Sequence, residues 1–550
     1  MVKLKIYKKI ISVLDDLGFE YNDSFSIELP NNKKFGDYSS NVAMVNSKNS
    51  KMNPRKLAET MKKRLEKNDI FSEVTIAGPG FLNFKISHRL FQKALYDIEK
   101  QKEHYGRTDY GKGKKILIEF ISANPTGPLN IVSARAASYG DTLYRIMKYT
   151  GYQPMREFYI NDAGNQVDIL AESLELRYRE KLGESIGEFP LDAYHGDYLK
   201  DLAQELVDAE GSKLIHFSEK GRLSKLKNFA LTRMHEIQTN SLDKFGVKID
   251  SWISEKTLRK QGIVEEVMSY LTEANVTYEK DEAIWFESSK IGDEKDRVLM
   301  KADGTFTYFV PDIGYHITKF QRGFEKLIDV LGPDHHGYIA RLKASIEALK
   351  YDSSKLDIVI LQQVNLFENG EQVKMSKRSG KFITMDELIA DVGKDAARYF
   401  FISRKSSSHL NFDLELARKK SAENPVYYIQ YAYARISSIL KKAKKEKIKI
   451  GKISLSVLEG LNNDDEIEII KKMLELPNLL NSISESLEPS RLATYVYELA
   501  AEFHKYYQKY SIIDSENIEL SKSRLAFITI IQRVIKICLN LMAISTPEKM

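Results

Sequence analysis

The segment from Ile116 to Leu129 constrains the fold of this chain more than any other. Ile116 to Phe120 is a short apolar run, and Asn124 to Pro128 is a loop of Pro and Gly. Beyond it Leu129, Val132, Ala136, Tyr139, Leu143 and Met147 recur at helical spacing and give one apolar face. The order predicts a buried strand, a turn and a helix. Such a unit aims the first N–H groups of the helix at the end of the strand, where a phosphate can sit. From about residue 155 to 405, helical stretches alternate with short apolar runs such as Asp357 to Leu361. Alternation of this kind predicts a doubly wound, Rossmann-like α/β core with insertions.

At 550 residues the chain has room for about three to four domains. Residues 1–108 mix helical and strand patterns and approach their end with the turn and strand Gly78-Pro79-Gly80-Phe81-Leu82-Asn83-Phe84, which predicts an N-terminal α+β domain. The polar stretch Gly106 to Lys114 suits a linker into a core spanning 109–412. Residues 413–550 are almost wholly helical in pattern, including Pro425 to Leu440, Glu466 to Leu480, Arg491 to Tyr510 and Lys522 to Leu541, and predict a C-terminal all-helical bundle. The fold class is therefore multidomain α/β.

Composition excludes several alternatives. Hydrophobic residues at 43% and charged residues at 29% match an ordinary water-soluble protein. No run of about 18 uncharged apolar residues could span a bilayer, and the first residues carry no signal-peptide pattern, so a cytoplasmic protein without a membrane partner is expected. A single cysteine, Cys538, precludes an internal disulfide and a cysteine-built zinc site. The adjacent His335 and His336 diverge and have no Cys or third His nearby, so no protein-held metal is expected. A net charge of +6 permits nucleic-acid contact through local patches without requiring it. The run Lys441 to Lys447 reads as a solvated helix end or a phosphate contact.

The chemistry is concentrated in Lys374-Met375-Ser376-Lys377-Arg378-Ser379-Gly380, a basic segment that follows the turn Phe367-Glu368-Asn369-Gly370. Ammonium groups there could meet the charge that builds on phosphates during adenylyl transfer, without acid or base chemistry. Upstream stand Ser122-Ala123-Asn124-Pro125-Thr126-Gly127-Pro128-Leu129 and Asn161-Asp162-Ala163-Gly164-Asn165-Gln166. Tyr194-His195-Gly196-Asp197-Tyr198, Gly332-Pro333-Asp334-His335-His336-Gly337 and Asn424-Pro425-Val426-Tyr427-Tyr428-Ile429-Gln430-Tyr431 follow. These blocks, with Phe35-Gly36-Asp37-Tyr38 and Ala77-Gly78-Pro79-Gly80-Phe81 before them and Pro547-Glu548-Lys549-Met550 after, are collinear over essentially the whole chain and resemble the class I aminoacyl-tRNA synthetases, and the arginyl-tRNA synthetases in particular. The basic segment resembles their KMSKS loop.

The resemblance implies ATP-dependent activation of L-arginine to arginyl-adenylate and its transfer to the 3' end of tRNA(Arg), with Mg2+ arriving on ATP. Lys374, Ser376 and Lys377, with Asn130 and Ser133, would serve catalysis. Gly127, Pro128, Leu129, Gly332, Asp334, His335, His336, Met375 and Arg378 would contact ATP. Asn124, Glu255, Tyr308 and Asp312 match the family's arginine pocket, and a guanidinium group wants carboxylates out of bulk water. On their own, Asp312 could cap a helix and Glu255 could be a surface acid. Phe35 and Asp37 in the first domain, and Tyr427, Gln430, Tyr431 and Met550 in the last, would contact tRNA. A monomer is expected.

One block departs from the family. Asn130-Ile131-Val132-Ser133 stands where the HIGH signature has histidine at both ends and glycine third. Asn and Ser can hydrogen-bond but carry no positive charge, and a branched Val132 would crowd a nucleotide that approaches the helix backbone. The N–H groups of the helix start would still be available to phosphate. A catalytically silent paralogue acting as a tRNA-binding module is the alternative to an active enzyme; the complete basic loop and arginine pocket favour activity.

Overall fold

The computed structural model describes residues 2–30, 32–373 and 383–550. Its centre is a five-stranded, all-parallel sheet in the spatial order Leu356–Ile360, Lys326–Leu331, Lys115–Phe120, Gln153–Ile160, Ser251–Ser254. The chain winds outward from Lys115–Phe120 to one edge, then crosses back to the other side. The switch in direction lies between Lys115–Phe120 and Lys326–Leu331, and the crevice above their carboxyl ends is where an open α/β sheet takes its ligand. Ile116, Leu117, Ile118 and Phe120 are fully buried, as a strand covered on both faces requires.

The first crossover is the helix Ile131–Tyr149, which begins one residue after Asn130. Gly140 brings it close to the sheet: a Cβ there would lie 2.3 Å from the Phe120 ring. The following Asp141 is fully buried and accepts from Arg398 at 2.7 Å, Arg145 at 2.8 Å and Arg156 at 3.3 Å. One assumption about this helix fails. The sequence spacing puts Val132 on its apolar face, but Val132 is 43% exposed, while Ile131 and Ala134 take the buried positions. With Asn130 as the cap, the buried stripe is rotated by one residue at the first turn.

Three helices, Asn165–Lys181, Tyr198–Glu210 and Glu219–Phe245, form an insertion with its own core before the sheet resumes at Ser251. A small antiparallel sheet, Arg297–Met300, Ala283–Phe286 and Thr277–Lys280, forms a second insertion. Val364–Glu368 then turns through Asn369 and Gly370, both at positive φ, into Glu371–Gln372. The hairpin tip is thus Asn369-Gly370, and residues 374–380, expected to form the basic loop, lie outside the described residues.

The first domain carries a four-stranded antiparallel sheet in the order Ile27–Glu28, Tyr38–Ser40, Phe81–Ile86, Phe71–Ala77, backed by helices Val2–Leu17 and Pro54–Leu65. Its closing helix, His88–Gln101, docks on the C-terminal bundle, where Gln92 donates to Leu461 O at 2.9 Å. The bundle consists of Pro425–Lys445, Asp464–Leu474, Leu476–Ser486, Ser490–Lys509 and Ile518–Leu541. The single helix predicted over Glu466–Leu480 is two, because Pro477 occupies the first turn of the second. Cys538 is buried in the last helix, and burial pushes its thiol well above the ordinary range. No helix among the described residues is long and apolar enough to cross a membrane.

Candidate active site

Two loops flank the switch point. After Phe120 the backbone enters the left-handed region at Ile121 (φ 77°) and Ser122 (φ 39°), a conformation that a β-branched residue adopts only under constraint. The constraint is visible. Ser122 Oγ donates to Glu119 Oε1 at 2.7 Å and accepts from the Tyr159 N–H at 3.2 Å. The loop that follows is held from the insertion: Gln238 Nε2 donates to Asn124 O at 3.2 Å and Gly127 O at 2.9 Å, and the Tyr198 hydroxyl donates to Thr126 O at 2.6 Å. A Cβ on Gly127 would meet that hydroxyl at 3.4 Å. Asn124, exposed, donates to Gln166 at 2.6 Å, and Leu129 is buried beyond Pro128. On the other side of the switch point, Gly332 leads into a short helical turn, Pro333–Tyr338, that leaves Asp334, His335 and His336 exposed above the crevice.

The turn Asn130 to Ser133 has a definite geometry. Asn130 is the N-cap of its helix, its Oδ1 accepting from Val132 N at 3.0 Å and Ser133 N at 3.1 Å, with the Ser133 hydroxyl at 3.4 Å. Leu129 O accepts from Met385 N at 2.7 Å, and Asn130 forms an isolated bridge with Thr384. The helix start therefore offers fewer N–H groups to a phosphate than expected, because the capping oxygen takes those of Val132 and Ser133. It is also joined to the residues that directly follow the basic segment.

The residues expected to bind arginine stand at two helix starts. Glu255 opens the helix Glu255–Lys260 at the end of a sheet strand and is only 6% exposed. Its Oε1 accepts from Arg259 Nε at 2.7 Å, and the Asn161 amide, turned to donate, reaches Oε2 at 2.9 Å. Asp312 lies in the first turn of Phe309–Gln321 but caps nothing; the N-cap position is Tyr308, itself 67% exposed. Burial works to raise the Asp312 carboxyl, yet the His316 ring, the Tyr338 hydroxyl and Lys319 outweigh it and hold it below the usual carboxylate range. Arg341 lies over the Tyr338 ring at 4.2 Å and points one nitrogen at the Tyr308 hydroxyl at 3.5 Å. Arg341, Gln238, His316 and Lys319 carry no sequence signal of their own, since nothing in spacing reveals which side chains a fold will bring beneath a crevice.

The remaining expected residues lie elsewhere. Lys374, Met375, Ser376, Lys377 and Arg378 fall outside the described residues. Phe35 is 46% exposed, whereas Asp37 accepts from Ile86 N at 2.6 Å and pairs with Lys471 of the bundle. Tyr427 and Tyr431 stack at 6.3 Å, with Arg435 over the Tyr431 ring at 4.4 Å. Gln430 is buried and donates to Asp395 at 2.9 Å and Ser545 O at 3.0 Å, and Met550 is 44% exposed. Among the described residues no group of three or more His, Cys, Asp or Glu is gathered in a way that could hold a metal.

The chain is similar to known proteins in each of its three parts. The model of the class I (R) tRNA synthetase catalytic domain matches residues 94–430, that of the arginyl-tRNA synthetase N-terminal domain 4–86, and that of the DALR anticodon-binding domain 429–550. The arginine–tRNA ligase of Shouchella clausii is 44% identical over 528 residues, covering 96% of this chain and 94% of the relative. Arginine–tRNA ligase 1 of Halalkalibacterium halodurans is 42% identical over 553 residues, covering 100% and 99%. A solved structure titled a putative arginyl-tRNA synthetase from Campylobacter jejuni superposes with a TM-score of 0.78 at 36% identity, covering 84% of this chain and 100% of the other. The Thermus thermophilus arginyl-tRNA synthetase, at 20% identity and a TM-score of 0.74 over the full length of both chains, shares the fold.

Proposed function

The chain belongs to the arginyl-tRNA synthetases of class I, and from that premise we propose how its own residues carry the work. The reaction is that of an arginine–tRNA ligase: L-arginine is activated by ATP to arginyl-adenylate and passed to the 3' end of tRNA(Arg) for translation. The observation that carries the residue-level reading is the meeting, over one switch point, of a clamped Asn124 to Pro128 loop, the exposed Asp334 to His336 turn and a carboxylate, Asp312, kept ionised beside the crevice.

In this reading Gly127, Pro128, Leu129 and Gly332 to His336 form the nucleotide cradle. Asp312 and Tyr308 take the substrate guanidinium, with Glu255 behind them, and Asn124 holds the α-amino or carboxylate end. Arginine offers five donors in a planar fork, so a carboxylate with free acceptor sites is the matching partner. Lys374 and Lys377, with Ser376, Met375 and Arg378, supply positive charge to the phosphates. That share is larger than in a chain with the two histidines, since Asn130 and Ser133 are occupied with each other at the helix start. Mg2+ would be held mainly by phosphate oxygens, where it neutralises charge and polarises the α-phosphate.

Phe35 on the first domain, and Tyr427, Tyr431 and Met550 on the bundle, are the tRNA contacts in this reading, while Asp37 and Gln430 hold those surfaces in shape. The working units are 1–108, 109–412 and 413–550, in a cytoplasmic monomer. Arginylation of tRNA, together with ATP–pyrophosphate exchange measured with and without tRNA, tests the whole. Exchange that depends on arginine and tRNA and collapses in Lys377→Ala is expected; parent activity no higher than that variant would refute it.

A further inference from the structure

Beneath the crevice runs a row of ionisable groups, most of them buried, of which only Asp312 touches the substrate in the reading above. It starts at the nucleotide-side loop, where Ser122 Oγ donates to Glu119 Oε1 at 2.7 Å. The other oxygen of Glu119 accepts from Lys319, whose ammonium also reaches Asp329 Oδ1 at 2.8 Å. The remaining oxygen of Asp329 meets His316 Nε2 at 2.7 Å, and His316 Nδ1 lies 2.8 Å from Asp312 O and 3.4 Å from Asp312 Oδ1. His316 is 3% exposed and Lys319 fully buried. The row thus links the loop that opens the nucleotide cradle to the acid on the arginine side, through a strand on each side of the switch point.

Both nitrogens of the His316 ring face oxygen acceptors. Burial and Lys319 act to lower its pKa, but Asp312 and Asp329 prevail and lift it to about 10, so the ring is an imidazolium that donates at both ends. Asp312 differs from the other two carboxylates in the row. Glu119 and Asp329 each hold the Lys319 ammonium directly, whereas among the described residues Asp312 pairs with no Lys or Arg and meets His316 and the Tyr338 hydroxyl, with Lys319 acting on it from farther off. Its side chain is 25% exposed, toward the crevice. Nearby charges are already matched: Glu157 by Arg322 and Glu255 by Arg259, while Arg341 forms no ion pair among the described residues and rests on the Tyr338 ring.

We propose that His316, braced by Asp329 and Lys319, is a positioning residue for arginine recognition: it fixes Asp312 from behind so that the free acceptor sites of that carboxylate meet the substrate guanidinium. The proposal rests on the reading that Asp312 receives arginine. A carboxylate fixed by one imidazolium and one hydroxyl keeps half of its acceptor sites for an incoming fork. A carboxylate free to rotate would have to be ordered on each binding event, at a cost in affinity.

The test is steady-state arginylation by the full-length protein, with KM for arginine and for ATP, and kcat, determined separately for the parent, His316→Gln and Asp329→Asn. Both variants should raise the arginine KM by about tenfold or more, as the loss of one close, largely buried ion pair. The ATP KM and the kcat at saturating arginine should stay within about twofold. Asp329→Asn removes the brace and leaves His316 in place, so it answers the same question if His316→Gln does not fold. An unchanged arginine KM in a folded variant would overturn the proposal, as would a fall in kcat with no selective effect on arginine. Unfolding of both variants would overturn it too, by making the row a stability device. A parent protein that charges no tRNA would instead sink the arginylation reading, so the two failures are told apart.

Discussion

Asn130 takes the N–H groups of Val132 and Ser133 onto one oxygen, which is the ordinary work of a capping residue. Asn130→Ala should therefore lower stability by about 1 kcal/mol, read as a shift in the urea midpoint at unchanged slope. Ser133 is only 8% exposed and its hydroxyl faces that same oxygen. An imidazole does not fit there without moving the cap, so restoring the family residue alone, as Ser133→His, should reduce the exchange rate; a large gain would show that the serine is a defect. Val132 points outward beside the crevice, and Val132→Gly should lower the ATP KM several-fold while costing about 0.4 kcal/mol of helix stability. An unchanged ATP KM would mean that the nucleotide does not approach this turn. None of this could be read from the letters. The substitution was plain in the sequence, but which atoms satisfied the helix start was not, because Asn serves equally as cap or as ligand.

The helix Phe309–Gln321 places Asp312, His316 and Lys319 one turn apart or nearly so, and strands supply Glu119 and Asp329 opposite them. Its chemistry carries a pH signature. Because the folded pKa of His316, about 10, lies above its unfolded value near 6.5, the folded state holds the proton more tightly. The stability contributed is complete below about pH 6.5 and is lost as pH rises toward 10. The melting temperature should accordingly fall between those values, more steeply in the parent than in His316→Gln; equal slopes would place the titration elsewhere. A second element, Met385–Val392, follows the basic segment and is fixed at its start by a Thr384–Glu387 capping box, by Met385 N to Leu129 O, and by Asp386 to Ser241 and Lys244. Asp386→Ala loosens that anchor and should lower kcat about tenfold with little change in the arginine KM. A selective rise in the arginine KM would count against the anchor role. Sequence periodicity located most of these helices, since burial of one face needs only a regular pattern. It merged the two helices that meet at Glu475 because an apolar stripe continues past the Pro477 that separates them.

Across the whole molecule the first domain and the bundle, far apart in sequence, meet along a seam. Asp37 pairs with Lys471, Glu99 with Arg533, and Gln92 donates into the loop at Leu461. Such contacts, between residues 369 to 434 apart in sequence, are invisible to local pattern, and the resemblance that names Asp37 as a tRNA contact does not reveal that its carboxylate also pairs with the bundle. The architecture was legible because alternation and periodicity are local; the seam was not, because it depends on which surfaces the assembled domains bring together. If tRNA is gripped by Phe35 on one side and by the Tyr427 to Tyr431 stack on the other, the seam fixes the distance between the two grips. Side chains on both sides of the Lys471 pair are only 13–15% exposed, so breaking it leaves a largely buried carboxylate without its partner. The double variant Lys471→Ala and Arg533→Ala should raise the KM for tRNA about tenfold, through lost preorganisation, while leaving the arginine and ATP KM values unchanged, because neither residue approaches the crevice. A tRNA KM equal to that of the parent, in a protein that still melts cooperatively, would mean that the two grips act independently and that the seam serves stability alone.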